Sequence, residues 1–432
     1  MGFLRKNRIT LALISIICFY SIFQSAHAVP AFARQMGTTC AACHFQNFPS
    51  LNSFGRMFRS KGYTMQGAQS MIQGEGLSIP STLNASVITK IRYQDKKAND
   101  RGEIQWPDEA ALLVGGRAAE NIGFLMELGQ GPVGADVTAG AADASSGATG
   151  IVEGDTNGDG IKDPDEKWVI SGETHGTFLS TKVHFMVSDS FSIIPFSTDG
   201  LGAGYGYEMM NTGVQRSQRP IENRKGFSAG QALGTASGEA TGIAFVYNTP
   251  EFFINYSHWA PTWGNVNADI FGGLANYLRA AYLPNIGGWD TGFGFNVMSG
   301  SVESGANDPA AETFVDSWGI DAQAQGFVGD MTLGIYASYG EAPKGTAAEP
   351  NKYNKSTTDD ASSLGLATKL GINSKTSVYL AYASLDQGGT KETSNTFGVQ
   401  YHPAQNVKLE AFTVSEFDSS NDYTMLMLFA GF

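Results

Sequence analysis

The feature that most restricts this 432-residue chain is a regular alternation of short turns with long polar connections from about residue 77 onward. Short turns are read at Asn121-Ile-Gly123, Ser188-Asp-Ser190, Asn248-Thr-Pro250, Pro284 to Gly288, Val328-Gly-Asp330, Asn373-Ser-Lys375 and Pro403 to Asn406. Longer polar segments lie between them at 94–108, 130–167, 198–238, 260–272, 300–312, 341–360, 387–392 and 417–421. Seven turns and eight loops join sixteen strands. An even number of strands with every short connection on one side is the pattern of an outer-membrane β-barrel, its short turns periplasmic and its long loops extracellular.

Alternation within the strands agrees. In Val183-His-Phe-Met-Val187 the odd positions suit lipid, which turns His184 inward, and Phe397-Gly-Val-Gln-Tyr401 sends Gln400 and His402 inward. Both histidines then belong near the periplasmic mouth. The last residues, Tyr423 to Phe432, are apolar and end in an aromatic, as such barrels commonly do. Fifty-three glycines, and no apolar run near twenty residues after the first thirty, exclude a helical membrane protein. A large soluble sandwich or propeller is the competing all-β reading, but no blade-like repeat is visible.

The first residues set the compartment. Arg5, Lys6 and Arg8 precede an uncharged apolar run from Ile9 to Phe23, and Ala26-His27-Ala28 supplies small residues for cleavage. This reads as a secretory signal peptide over 1–28; a retained anchor would need a longer run. Three of the 28 basic residues leave with it and none of the 41 acidic ones does, so the net charge moves from −13 to about −16. Such a surface repels nucleic acid and draws cations.

Cys18 also leaves with residues 1–28, so only Cys40 and Cys43 remain and no disulfide framework is available. They fall in Gly37-Thr-Thr-Cys-Ala-Ala-Cys-His44. In C-x-x-C-H two thiols reach the two vinyl groups of one haem, and the adjacent imidazole of His44 becomes the proximal iron ligand. A redox disulfide would want a thioredoxin-like βαβ context and a zinc site a second ligand pair, and the neighbouring sequence supplies neither. Met57, Met65 and Met71 follow in the same segment as candidates for the sixth ligand. Met65 is preferred because the turn at Gly62-Tyr63-Thr64 lets the chain fold back over the haem face, although each methionine can equally be a packing residue.

Around this motif, Pro30-Ala-Phe-Ala-Arg-Gln35, Gly37, Cys40-Ala-Ala-Cys-His44, Pro49, Leu51, Phe54-Gly-Arg56, Phe58 and Gly62-Tyr63 resemble the opening of the outer-membrane fused monohaem cytochrome–porins of iron-oxidising bacteria. The resemblance covers about 35 residues, with no departure in the haem motif. It implies a signal peptide over 1–28, a monohaem cytochrome c domain over 29–76 and a porin-like barrel over 77–432. It also implies oxidation of extracellular Fe(II) by one-electron transfer to a haem c, with a periplasmic c-type cytochrome as acceptor. The expected fold class is therefore mainly β: a small cytochrome c-like N-terminal domain fused to a transmembrane antiparallel barrel of about sixteen strands. Outer-membrane lipid is the expected surrounding and a homotrimer the expected assembly.

One further motif stands apart. Asp155-Thr-Asn-Gly-Asp-Gly-Ile-Lys-Asp-Pro-Asp-Glu166 matches a twelve-residue calcium loop at Asp155, Asn157, Asp159, the Ile161 carbonyl, Asp163 and Glu166, with Gly160 at the sharp turn. The flanking helices are missing, so the candidate Ca2+ site is a lone loop that would order an extracellular connection; an acidic turn without tight binding is the alternative. Two functional classes stay in view. One is an oxidoreductase of the iron:cytochrome c type with no catalytic residue beyond the haem. The other is a porin whose haem-bearing plug or partner-binding module does not oxidise iron.

Overall fold

The computed structural model describes residues 31–46, 48, 50–97, 101–132, 175–198, 228–233, 240–260, 274–303, 312–354 and 356–432. Within them the chain closes a ring of sixteen antiparallel strands, as the turn pattern predicts. In order these are Ala85–Lys96, Arg101–Ala119, Ile122–Pro132, His175–Met186, Phe191–Thr198, Ala240–Asn248, Phe252–Ala260, Ala275–Tyr282, Trp289–Ser299, Ser317–Val328, Met331–Ala342, Ala361–Gly371, Thr376–Gln387, Thr390–Ala404, Val407–Glu416 and Tyr423–Gly431. The last strand returns to the first, with Phe429 opposite Lys90.

All seven short turns fall between strands that the ring pairs. Two expected loops are much shorter than read. The connection placed at 94–108 reduces to residues 97–100 between paired strands. The one placed at 387–392 reduces to Gly388-Gly389, both in the left-handed region with φ 62° and 74°, because pairing continues to Gln387 opposite Thr390. In each case polar strand residues had the look of a loop. The calcium-like loop Asp155–Glu166 and residues 1–28 lie outside the described residues.

Period-two alternation decides what each strand presents. From Ser317 to Gln325 and along Ala361–Gly371 every second side chain is buried, while Trp318, Ile320 and Leu366 on the alternate face are exposed. Exposed apolar side chains recur all round the ring, among them Val87, Trp106, Leu128, Phe185, Phe293, Ile335, Leu380, Phe397 and Leu426. In water such a belt would be a liability; in hydrocarbon it is required, and a closed ring leaves no unpaired strand edge to desolvate. The chain is thus an outer-membrane β-barrel, with its short turns on the periplasmic side.

Inside, the lumen has two different walls. From Phe191–Thr198 to Trp289–Ser299 the inward residues Ile194, Phe196, Val246, Phe253, Trp259, Tyr277 and Met298 form one buried apolar cluster. A short helix, Ala229–Leu233, joins it through Leu233 and is held to the strand Met331–Ala342 by Ala229 N donating to Ser338 Oγ at 2.8 Å. The other wall is charged: Arg92 Nε lies 3.3 Å from Asp108 Oδ1, and Lys90 pairs with Glu109.

Candidate functional site

Ahead of the first barrel strand, residues 31–70 form two helices, Ala31–Met36 and Ser53–Ser60, and a single 3₁₀ turn, Cys40–Ala42. A segment this short has little core of its own. Phe32 stacks on Tyr63 with centroids 4.5 Å apart, and Phe58 meets both edge-on at 5.4 and 5.6 Å. The remaining support comes from the barrel.

That support is spread around the turn-side mouth. Ala31 N donates to Ser86 Oγ at 2.6 Å, Asn84 Nδ2 to Gln35 Oε1 at 2.9 Å, and Arg117 to the Thr64 carbonyl at 3.0 Å. Across the ring, Arg56 makes a two-pronged ion pair with Asp290, at 2.6 and 2.9 Å. Gln46 Nε2 donates to the Thr332 and Lys369 carbonyls at 3.1 and 3.0 Å. Gly62 lies directly against His184, and a Cβ at Gly62 would stand 2.3 Å from the His184 Cβ. All these wall residues sit within a few positions of a short turn or of the start of the first strand, so the segment is seated in the periplasmic mouth.

His184 is fully buried, faces inward as the alternation predicts, and packs edge-on against Tyr63 at 5.6 Å. His402 also faces inward, but the segment's nearest hydrogen bond to that strand end is from Cys40 N to Gln405 Oε1, at 3.5 Å.

The C-x-x-C-H motif is held from both sides. Cys43 N and His44 N both donate to the Cys40 carbonyl, at 3.1 and 3.0 Å, which winds the two thiols and the imidazole onto one turn. The chain then loops out and returns, His44 bridging to Leu51. Asn52 caps the second helix through Gly55 N at 2.9 Å and donates to the Ala42 carbonyl at 3.0 Å. Gly55 is obligatory at this crossing, because a Cβ there would stand 2.1 Å from the Cys43 carbonyl oxygen.

The chemistry of the donors separates the readings. His44 Nδ1 is 3.1 Å from the Ser50 carbonyl, which can only accept, so Nδ1 carries the proton and Nε2 keeps the lone pair for a metal. Cys40 and Cys43 are not joined to each other. Burial pushes both thiols up, and for Cys43 the neighbouring Cys40 adds to the rise. Neutral, half-buried thiols are poor exchange nucleophiles. Among the described residues no cluster of three or more cysteine, histidine or carboxylate ligands forms, so none of them completes a tetrahedral zinc set with the motif. Two thiols and an imidazole oriented through Nδ1 fit a covalently attached haem.

Of the other expected residues, Met65 is half-buried, and its carbonyl accepts from Gln35 Nε2 at 2.8 Å; Met57 lies on the second helix, and Met71 opens a small hairpin, Met71–Gly74 with Leu77–Pro80. Gln46 and Asp290 were not singled out in the sequence, and Arg56 entered only among the residues of the resemblance, with no role. An inward carboxylate beside a short turn, as at Asp290, is the one signal that could have marked them.

No family model matches the chain, and no curated protein matches it. Among solved structures it is similar to a loop-deletion form of OmpT, an outer membrane protein of Vibrio cholerae, at 10% identity and TM-score 0.47 over 81% of this chain and 99% of that one. It is also similar to the outer membrane channel DcaP of Acinetobacter baumannii, at 12% identity and TM-score 0.47 over 81% and 97%. A porin refined at 1.8 Å matches at 14% identity and TM-score 0.46 over 81% and 100%. The barrel assignment stands on the strand pairing itself, not on these likenesses.

Proposed function

We propose that the protein is a one-electron oxidoreductase of the outer membrane, which takes electrons from extracellular Fe(II) and passes them to a periplasmic c-type cytochrome through a haem c bound at Cys40, Cys43 and His44. The observation that carries this reading is the seating of an oriented C-x-x-C-H turn in the periplasmic mouth of a membrane-spanning barrel. A purely diffusive pore gains nothing from a segment wedged into the exit that its solutes would use. Fe(II) as the donor follows the family resemblance and is supported by the acidic balance of the chain.

When bound, the haem supplies reversible one-electron exchange at its iron. The chain's own residues do the rest. Cys40 and Cys43 fix the group covalently; His44, steadied by the Ser50 carbonyl, offers Nε2 from one face. Gln46 and Arg56 fix the segment to one side of the mouth, facing the side held by Ser86 and Arg117. Because the motif sits at the turn side, the ferrous ion donates from within the lumen, along the charged wall, and the acceptor docks from the periplasm. Domain limits at 28 and 76, Met65 as sixth ligand and a homotrimeric assembly belong to the same reading.

Anaerobic mixing of the purified, oxidised protein with Fe(II), followed in the haem absorption bands, tests it. Reduction by Fe(II) and reoxidation by a soluble cytochrome c are expected. Bands that stay oxidised with Fe(II) but shift at once with dithionite would leave the porin with a haem-bearing plug as the correct reading.

A further inference from the structure

Beside the C-x-x-C-H turn the barrel wall carries a buried polar group that the reading above does not use. Lys369, Ser377, Tyr379, Gln400, His402, Lys408 and Glu410 all face inward from four consecutive strands. Glu410 is fully engaged: Tyr379 Oη and Gln400 Nε2 donate to its Oε1 at 2.8 Å each, and Lys408 Nζ lies 3.0 Å from its Oε2. One carboxylate thus serves two ammonium groups, and of the two it is Lys408 that it touches. Among the described residues Lys369 Nζ, completely buried, has no hydrogen-bond partner, and neither does His402 Nε2.

An ammonium group removed from water without an anion is among the costliest things a fold can hold, and a chain keeps one where a ligand supplies the missing charge. The position says which ligand. Gln46, two residues after His44, hydrogen-bonds the Lys369 carbonyl, and Cys40 N contacts Gln405, three residues after His402. Phe48, edge-on to His44 at 5.4 Å, stacks on Phe429 of the neighbouring wall at 4.9 Å. A haem fixed at Cys40 and Cys43 would be held beside this wall and would bring two carboxylate side chains with it.

We infer that Lys369 and His402 form the binding site for the propionate carboxylates of that haem, so that the barrel completes a site which the N-terminal segment only begins. This rests on the haem reading. Lys369 is the counter-charge and His402 Nε2 a hydrogen-bond donor; Lys408 stays with Glu410.

The test uses the full-length haem-carrying protein and two readouts, its reduction potential and the propionate bending bands in resonance Raman spectra. K369M leaves a buried carboxylate uncompensated, which favours the more positive oxidised haem, so the potential should fall and the propionate bands should shift. K369R should restore both. K375M removes an equal charge from an exposed turn and should change neither. H402Q, which places no charge at risk, should shift the bands and serves if K369M does not assemble. Wild-type values in K369M and H402Q, with haem present, overturn the assignment alone. A wild-type potential that follows added inorganic phosphate would give the site to a free anion and overturn it too. Absence of covalent haem from the denatured wild-type chain overturns the haem reading, and this assignment with it.

Discussion

The ion pair between Arg56 and Asp290 gives the seating of the N-terminal segment a measurable strength. Arg56 is 2% exposed and Asp290 22%. Replacing Asp290 by Asn keeps the shape of the side chain and removes its charge, leaving a buried guanidinium against a neutral amide. Breaking a buried pair from one side costs about 3–5 kcal/mol, and the partial exposure of Asp290 argues for the lower end. About 3 kcal/mol corresponds to roughly a 100-fold larger population of segments lifted from the mouth. Protease added to the periplasmic face of outer-membrane vesicles reads that population, since cleavage follows the open fraction when reclosing is fast. Asp290→Asn should therefore speed cleavage within residues 61–70 by about two orders of magnitude. Arg56→Met combined with Asp290→Asn removes both partners and should regain most of the protection. A single variant cleaved at the wild-type rate, or a double variant no better than the single, would refute the buried charge as the anchor.

Three further outcomes are expected. The denatured wild-type chain should retain haem peroxidase staining in a gel, because thioether bonds survive unfolding, and Cys40→Ala with Cys43→Ala should abolish it. Gly55→Ala places a methyl group 2.1 Å from the Cys43 carbonyl oxygen and should cost about 1–3 kcal/mol in packing, seen as reduced haem incorporation in membranes that hold a normal amount of barrel. Millimolar calcium should slow proteolysis around Asp155–Glu166, with Asp155→Ala and Glu166→Ala removing the effect; identical cleavage with and without chelator would leave an acidic turn that binds nothing tightly.

Most of the barrel was legible because membrane strands obey a simple rule: outward residues meet lipid, and connections must leave it. Strand number, the seven turns and the inward aim of His184 and Gln400 all follow from that rule. It fails where pairing runs on past the hydrocarbon. There both faces of a strand are wet, and Asp386, Lys391 and Glu392 look like loop residues although they are paired. It fails also inside the lumen, where Gln105, Asp108 and Glu109 are polar because they meet Arg92 and Lys90. At the site, the C-x-x-C-H turn was visible because its chemistry is local. The clamp was not, since Gln46 meets Lys369 across 323 positions and Arg56 meets Asp290 across 234.

Parity has a consequence for topology. With sixteen strands the ring ends on the side where it began, and Phe432 N bonds back to the Val87 carbonyl at 2.8 Å. The segment that precedes Ala85 lies on that same side, because the first strand starts at the turn end, and so never has to be threaded through the membrane to reach its seat. It enters like a cork from its own side of the bottle, on a short tether. Only an odd number of strands added ahead of Ala85 would carry that cork to the outside of the cell.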